Sequence, residues 1–212
     1  MSGYEPKAGY YGQFSTDVLI ELFFKNKSHG VCVEVGVANG VRGSNTLYFE
    51  EKGWDTLCIE PNPEYFLQAS KVRQKVLNYA CGIENCTKEF TIFDIGDKNI
   101  MSSLSGLRPD ERLIKTHKHL INGTKKIQVK VQTLNELLKS NNTPRDIDFI
   151  SIDTEGTELD VLKGLDLDYW KVHLLVVENN FNDPEISEYL SHYGFVKDSR
   201  WKINDFYTKG WQ

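Results

Sequence analysis

Residues 31–66 read VCVEVGVANGVRGSNTLYFEEKGWDTLCIEPNPEYF. Two short apolar runs, VCVEV and TLCIE, stand in this stretch, and each carries a carboxylate toward its carboxyl end, Glu34 in the first and Glu60 in the second. Between them come a loop with Gly36, Gly40 and Gly43 and then a predicted helix, Ser44 to Lys52. Short apolar runs bounded by glycine read as buried strands, and strand, helix, strand in succession predicts a right-handed crossover between parallel neighbours.

Working outward, the same alternation continues on both sides. GYYGQFSTDVLIELFF offers Ser15 or Thr16 as N-cap of an amphipathic helix, so residues 1–28 read as an N-terminal helical extension laid beside the domain. PEYFLQASKVRQ is a helix with proline in its first turn, and KVLNYACG is a third strand. KEFTIFD reads as an extra strand leading into a polar segment, about residues 95–125, that is either a substrate loop or lid or a plain connector. Regularity returns with KIQVKVQ, a strand running into a helix capped by Thr133, and with DIDFISID, a strand ending on Asp153. Then follow the helix GTELDVLKGL, the strand HLLVVE ending on Glu178, the helix DPEISEYLSHY stopped at Gly194, and two strands, FVKDS and KINDFYT, joined by a short turn.

This order predicts an α/β fold, a mostly parallel sheet with helices on both faces, in a single domain over residues 1–212. Ligands of such sheets bind beyond the carboxyl ends of the strands. Glu34, Glu60, Asp153 and Glu178 all fall at predicted strand ends, so four acids distant in sequence are expected on one rim.

Composition narrows the function classes. A net charge of -5 and a pI near 5.6 give no basic footprint, which argues against nucleic acid as a partner. No apolar run approaches the roughly 20 residues that cross a bilayer, and no basic-then-apolar leader opens the sequence, so the expectation is a cytoplasmic protein with no membrane span. Cys32, Cys58, Cys81 and Cys86 form no CxxC pair and have no histidines close by, which predicts reduced thiols and no zinc site.

The loop of a dinucleotide fold is usually G-x-G-x-x-G, letting the backbone approach a pyrophosphate. Here it reads Glu34-Val-Gly36-Val-Ala-Asn-Gly40, with an acid before the first glycine and no glycine two residues on. A carboxylate there repels a pyrophosphate and suits a ligand carrying ammonium or sulfonium charge, as S-adenosylmethionine does. Glu60 follows Gly36 by 24 residues, near the roughly 20-residue interval at which an acid reaches the ribose hydroxyls of an adenosine ligand. Asn39 reads either as a partner for the methionine end or as a turn former.

At these residues the sequence resembles the FkbM family of S-adenosylmethionine-dependent methyltransferases, over nearly its whole length. The stretches that carry the resemblance are GQFSTDVLIELFF, residues 32–66, VKVQTLNELL and DFISIDTEGTELDVLKGL, the last being the most specific. The resemblance implies a Rossmann-like class I fold with a seven-stranded sheet and an antiparallel last strand, which suits the two-stranded tail. It also implies O-methylation, typically of hydroxyls on sugars, glycans or secondary metabolites. By position, Glu34, Gly36, Gly40, Glu60 and Asn62 would line the cofactor, while Asp153 and Glu155 would face the reaction. The segment from about 95 to 125 matches only through MSSL.

Methyl transfer from a sulfonium is an in-line displacement, so the acceptor oxygen must be aligned and its proton removed. Two arrangements fit. In the favoured one, Asp153 or Glu155 is a general base on the hydroxyl, oriented by neighbours such as Asn179. In the other, Asp153, Glu178 and Asn179 hold Mg2+ or another divalent cation that binds the acceptor oxygen and lowers its pKa. The structural alternative for Asp153 is a cap on the helix beginning near Gly156. His117 and His119 either supply a base from a lid or sit on an exposed helix face. Tyr10, Tyr11, Phe14, Trp201, Phe206 and Trp211 either form an aromatic platform for a sugar ring or simply pack. The expected function is O-methylation of a sugar or glycan hydroxyl. The alternatives are a non-sugar metabolite or lipid hydroxyl, marked by a more acidic, apolar lining from residues 95–125, and a non-catalytic cofactor-binding module.

Overall fold

The computed structural model describes residues 7–25, 27–95 and 104–210. In chain order its elements are helix α1 (Thr16–Phe24), strand β1 (Val31–Val35), α2 (Leu47–Glu51), β2 (Asp55–Ile59), α3 (Pro63–Ala69), β3 (Val76–Leu77), β4 (Ala80–Cys81) and β5 (Cys86–Ile95). Then come α4 (Glu111–His117), β6 (Ile121–Gln132), α5 (Leu134–Ser140), β7 (Asp146–Ile152), α6 (Glu158–Lys163), β8 (Lys171–Glu178), α7 (Glu185–Ser191), β9 (Phe195–Trp201) and β10 (Asn204–Lys209).

Seven strands form one sheet in the order β3-β2-β1-β7-β8-β10-β9. Pairing is parallel from β3 to β8, and β10 runs antiparallel to both of its neighbours. The expected class I sheet with its antiparallel last strand is therefore present. Strand order reverses beside β1, which has β2 on one side and β7 on the other, so a crevice opens at the carboxyl ends of these strands.

Strand parity divides the core. Val33 and Val35 of β1, with Leu57, Ile59, Ile150, Ile152 and Val177, pack under α5, α6 and α7 through Leu134, Val161 and Leu190. The alternate residues, Cys32, Phe149, Leu174 and Val176, face Ile20 of α1, Phe49 of α2 and Trp54. Thr133 caps α5 by accepting the Glu136 N–H at 3.2 Å, as the sequence predicts. Ser15 holds the N-cap position of α1 in a left-handed conformation but makes no cap bond; Thr16 Oγ1 instead donates to the Gln13 carbonyl at 2.7 Å.

Two expectations change. KVLNYACG is not one strand: Val76–Leu77 edges the main sheet, whereas Ala80–Cys81 belongs to a second, three-stranded sheet ordered β4-β6-β5. KEFTIFD and KIQVKVQ lie in the long antiparallel pair β5 and β6 of that second sheet, the latter as the carboxyl half of β6, with Phe90 opposite Ile127. Within the segment that lacks a sequence pattern lie α4 and the amino end of β6, and residues 96–103, including MSS of MSSL, lie outside the described residues. Among the described residues no helix is long and apolar enough to cross a membrane. The four cysteines are free thiols, three of them buried.

Candidate active site

The crevice begins where β1 ends. Gly36 adopts φ +89, and a Cβ there would lie 1.7 Å from the Asp153 carbonyl oxygen, so only glycine lets the loop cross β7. The Asp153 N–H in turn donates to the Val35 carbonyl at 3.0 Å, which fixes the two strand ends together. Gly40, at φ +84, brings the loop against the backbone of α3, where a Cβ would meet Ala69 Cα at 2.9 Å. The Asn39 Oδ1 accepts the N–H groups of Val41 and Arg42 at 3.1 and 3.0 Å, the bonds of a turn former.

Glu60 stands at the mouth of this loop. Its Oε2 accepts the Ala38 N–H and its Oε1 the Asn62 N–H, each at 2.8 Å. Burial pushes its carboxyl up to about 7, against the lowering effect of those bonds, and the charge of Asp153 adds to the rise. Asn62 caps α3 through the Glu64 N–H at 3.0 Å and lines the same cavity as Glu60.

Glu34 is elsewhere. It lies inside β1, and its parity turns the carboxylate toward the face of α1 and α2. There it accepts from Ser44 Oγ at 2.7 Å, the Asn45 N–H at 2.7 Å and Thr46 Oγ1 at 2.5 Å, with the buried Arg73 guanidinium 3.5 Å away. Arg73 also pairs with Glu50 at 3.0 Å. Neither Glu34, Asn39 nor Gly40 lines the cavity, whereas Gly36 does.

The floor is acidic. Carboxylate oxygens of Asp153, Glu155 and Glu178, from the ends of β7 and β8, lie within 4.8 Å of one another. Burial pushes Asp153 up to about 7, with help from the charge of Glu158. Glu155 and Glu178 are raised well above the carboxylate range, first by burial and then by Asp153 and their other acid neighbours. A hydrogen bond between the Asp153 and Glu178 carboxyls acts with these charges, lowering Asp153 and raising Glu178. Asn179 does not join them: its side chain donates to the Asp183 carbonyl and Asp205 Oδ2, each at 2.9 Å, and accepts the Asp183 N–H at 2.8 Å. Nor is Asp153 a helix cap, for Glu158 Oε1 takes the N–H groups of Thr154 and Gly156 at 2.9 and 3.1 Å.

These groups open on a cavity of about 610 Å³. Its far wall comes from the second sheet and the segment after it, through Phe90, Leu104, Leu107, Leu113 and Leu120. The described part of this segment therefore lines the cavity, and Gly156 lies so close to it that a Cβ would meet the Arg108 carbonyl at 2.8 Å. His117 and His119 both line this wall, and His117 Nδ1 donates to the Leu113 carbonyl at 3.0 Å. Of the expected aromatic platform only Phe14 lines the cavity. Tyr10 stacks on Tyr48, Tyr11 bonds Glu51, Trp201 Nε1 donates to the Phe14 carbonyl, Phe206 is in the core, and Trp211 lies outside the described residues. Sequence reasoning missed Gln13, Arg42, Tyr65 and Tyr79, which line the cavity with no motif to announce them.

A family model described as the methyltransferase FkbM domain matches residues 34–197. No curated protein matches the sequence. Among solved structures, the METTL16 MTase domain aligns at 12% identity and a TM-score of 0.50, covering 94% of this chain and 68% of that one. The N-terminal domain of human METTL16 aligns at 10% identity and 0.50, covering 99% and 73%. A precorrin-6y C5,15-methyltransferase from Geobacter metallireducens aligns at 10% and 0.46, covering 96% and 91%. Likeness at such identities speaks to the fold alone.

Proposed function

Because the chain belongs to the FkbM methyltransferase family, whose model matches residues 34–197, we propose that it transfers a methyl group from S-adenosylmethionine to a hydroxyl of a small-molecule or glycan acceptor. The observation that carries this reading is the pairing, in one cavity, of Glu60 with an acid floor whose carboxyls are acted on by burial and by one another. Glu60 uses one lone pair of each oxygen on a backbone N–H, which leaves the others for the two hydroxyls of a ribose. The cofactor supplies an electrophilic methyl on a cationic sulfonium, which an anionic floor favours.

Asp153 is the base in this reading. Held up to about 7, it is poised between its two protonation states near neutral pH, where a general base works best. It takes the proton of the acceptor hydroxyl as the oxygen attacks, while its hydrogen bond with Glu178 fixes its orientation. A second reading rests on the grouping of Asp153, Glu155 and Glu178, three oxygen ligands of the kind Mg2+ takes, with Glu155 in the place first given to Asn179. A divalent ion held there would lower the pKa of the acceptor hydroxyl. Turnover with and without EDTA separates the two.

For the acceptor, a sugar or glycan hydroxyl is what the resemblance implies, and the net charge of -5 argues against nucleic acid. The leucine-rich wall from Leu104 to Leu120 favours the other acceptor, a metabolite or lipid hydroxyl on an apolar skeleton. The test has two arms. Calorimetry should find binding of S-adenosylhomocysteine and none of NAD; the reverse sinks the reading. Methyl transfer is then screened against sugars and apolar alcohols, and Asp153→Asn should lower turnover about 10²–10⁴-fold with cofactor affinity kept.

A further inference from the structure

The cavity carries a charge problem that the acid floor does not solve. Glu60, Asp153, Glu155 and Glu178 line it, yet the cofactor of the reading above bears a carboxylate as well as its ammonium and sulfonium groups. A carboxylate placed among these acids meets no positive charge from them, and whichever of them is ionised repels it. The site needs one end of opposite sign.

Among the described lining residues there is a single lysine or arginine, Arg42. It stands next to Gly43, where the N-terminal segment crosses the glycine loop. Gly12 pairs with Gly43 as an isolated bridge, and the Gly43 N–H donates to the Tyr11 carbonyl at 3.0 Å. Gln13 and Phe14, next along that segment, line the cavity beside Arg42 and Gly43. The Arg42 backbone is held in turn by Asn39 Oδ1 at 3.0 Å. We propose that Arg42 is the counter-ion for the amino-acid carboxylate of the cofactor, with the Gln13 amide on the same edge as a second donor.

The assignment rests on the cofactor reading above and orients the ligand. Glu60 would hold the ribose, the acids would face the sulfonium, and Arg42 with Gln13 would hold the carboxylate. Guanidinium suits this task because its planar fork meets both carboxylate oxygens at once.

Two ligands test it without any acceptor. S-adenosylhomocysteine carries the amino-acid group, and 5′-methylthioadenosine shares its adenosine and thioether but lacks that group. By calorimetry, Arg42→Ala should weaken S-adenosylhomocysteine about tenfold or more and leave 5′-methylthioadenosine within about twofold. Arg42→Lys should restore part of the loss, and added salt should weaken the first ligand more than the second. Equal loss for both ligands, or an unchanged affinity for S-adenosylhomocysteine, overturns the assignment while leaving the cofactor reading intact. A wild-type protein that binds neither ligand overturns both.

Discussion

Two sets of acids flank one glycine loop, and the fold treats them oppositely. Glu34 and Glu50 share the Arg73 guanidinium, and hydroxyl and backbone donors from Ser44, Asn45 and Thr46 meet Glu34. Asp153, Glu155 and Glu178 meet chiefly one another, and their carboxyls rise far above the ordinary range. Glu34, Glu50 and Glu178 are buried whereas Asp153 and Glu155 are partly exposed, so burial alone does not mark the functional acid. The missing counter-charge does, because an uncompensated cluster stabilises a cation that arrives and costs stability until then.

The largest expected effect tests the compensated side. Arg73→Met removes a charge that also donates to the Gly40 carbonyl at 3.2 Å and to Thr46 Oγ1 at 2.7 Å. Two buried carboxylates then lose their counter-charge, and stability in urea unfolding should fall by about 3–5 kcal/mol. A loss under about 1 kcal/mol would show that the network tolerates an unpaired acid and would break the comparison.

The uncompensated side should show in pH dependence. The folded value of Asp153, about 7, lies above its ordinary 3.8, so the folded protein holds that proton more tightly than the unfolded chain does. Its contribution to stability is full below about pH 4 and is lost as pH rises through about 7. Without cofactor the loss approaches about 1.4 kcal/mol per pH unit within that window. Comparing wild type with Asp153→Asn over that range cancels the surface acids. A difference that stays flat with pH would mean that the floor is compensated after all.

What the sequence made legible follows from periodicity. Strands and helices alternate with clear punctuation, so the sheet and the strand-end positions of Glu60, Asp153 and Glu178 were read from it. Glu34 was misread because the apolar run VCVEV does not say where the strand stops; with Val35 as the last strand residue, parity sends Glu34 to the opposite face from the valines. Asn179 was grouped with the acids by adjacency, but its amide is spent on Asp183 and Asp205, the latter far along the chain. The split of KVLNYACG and the wall after β5 escaped because they depend on a second sheet whose partners are distant in sequence.

Glu60 lies between the two sets and sharpens the contrast. It is buried like Glu34, but its donors are two backbone N–H groups and not a guanidinium. Glu60→Gln should therefore leave the fold standing and weaken S-adenosylhomocysteine by about 1–3 kcal/mol, measured by calorimetry. An unchanged affinity would remove Glu60 from the ligand and place it with Glu34 as a structural acid.

The smallest effect is expected at Asn39, which belongs to the scaffold although the sequence left a ligand role open. Its Oδ1 accepts two backbone N–H groups within the loop, and the side chain does not line the cavity. Asn39→Ala leaves both donors without that acceptor, for a loss in stability of about 1 kcal/mol, while Asn39→Asp keeps the acceptor and most of the stability. Affinity for S-adenosylhomocysteine should fall by less than the stability does, because the turn positions Arg42 without touching the ligand. The ratio of the two losses is the informative quantity. If affinity falls further than stability, and Asn39→Asp fails to restore it, the amide contacts the ligand and Asn39 moves from the compensated scaffold to the binding side of the loop.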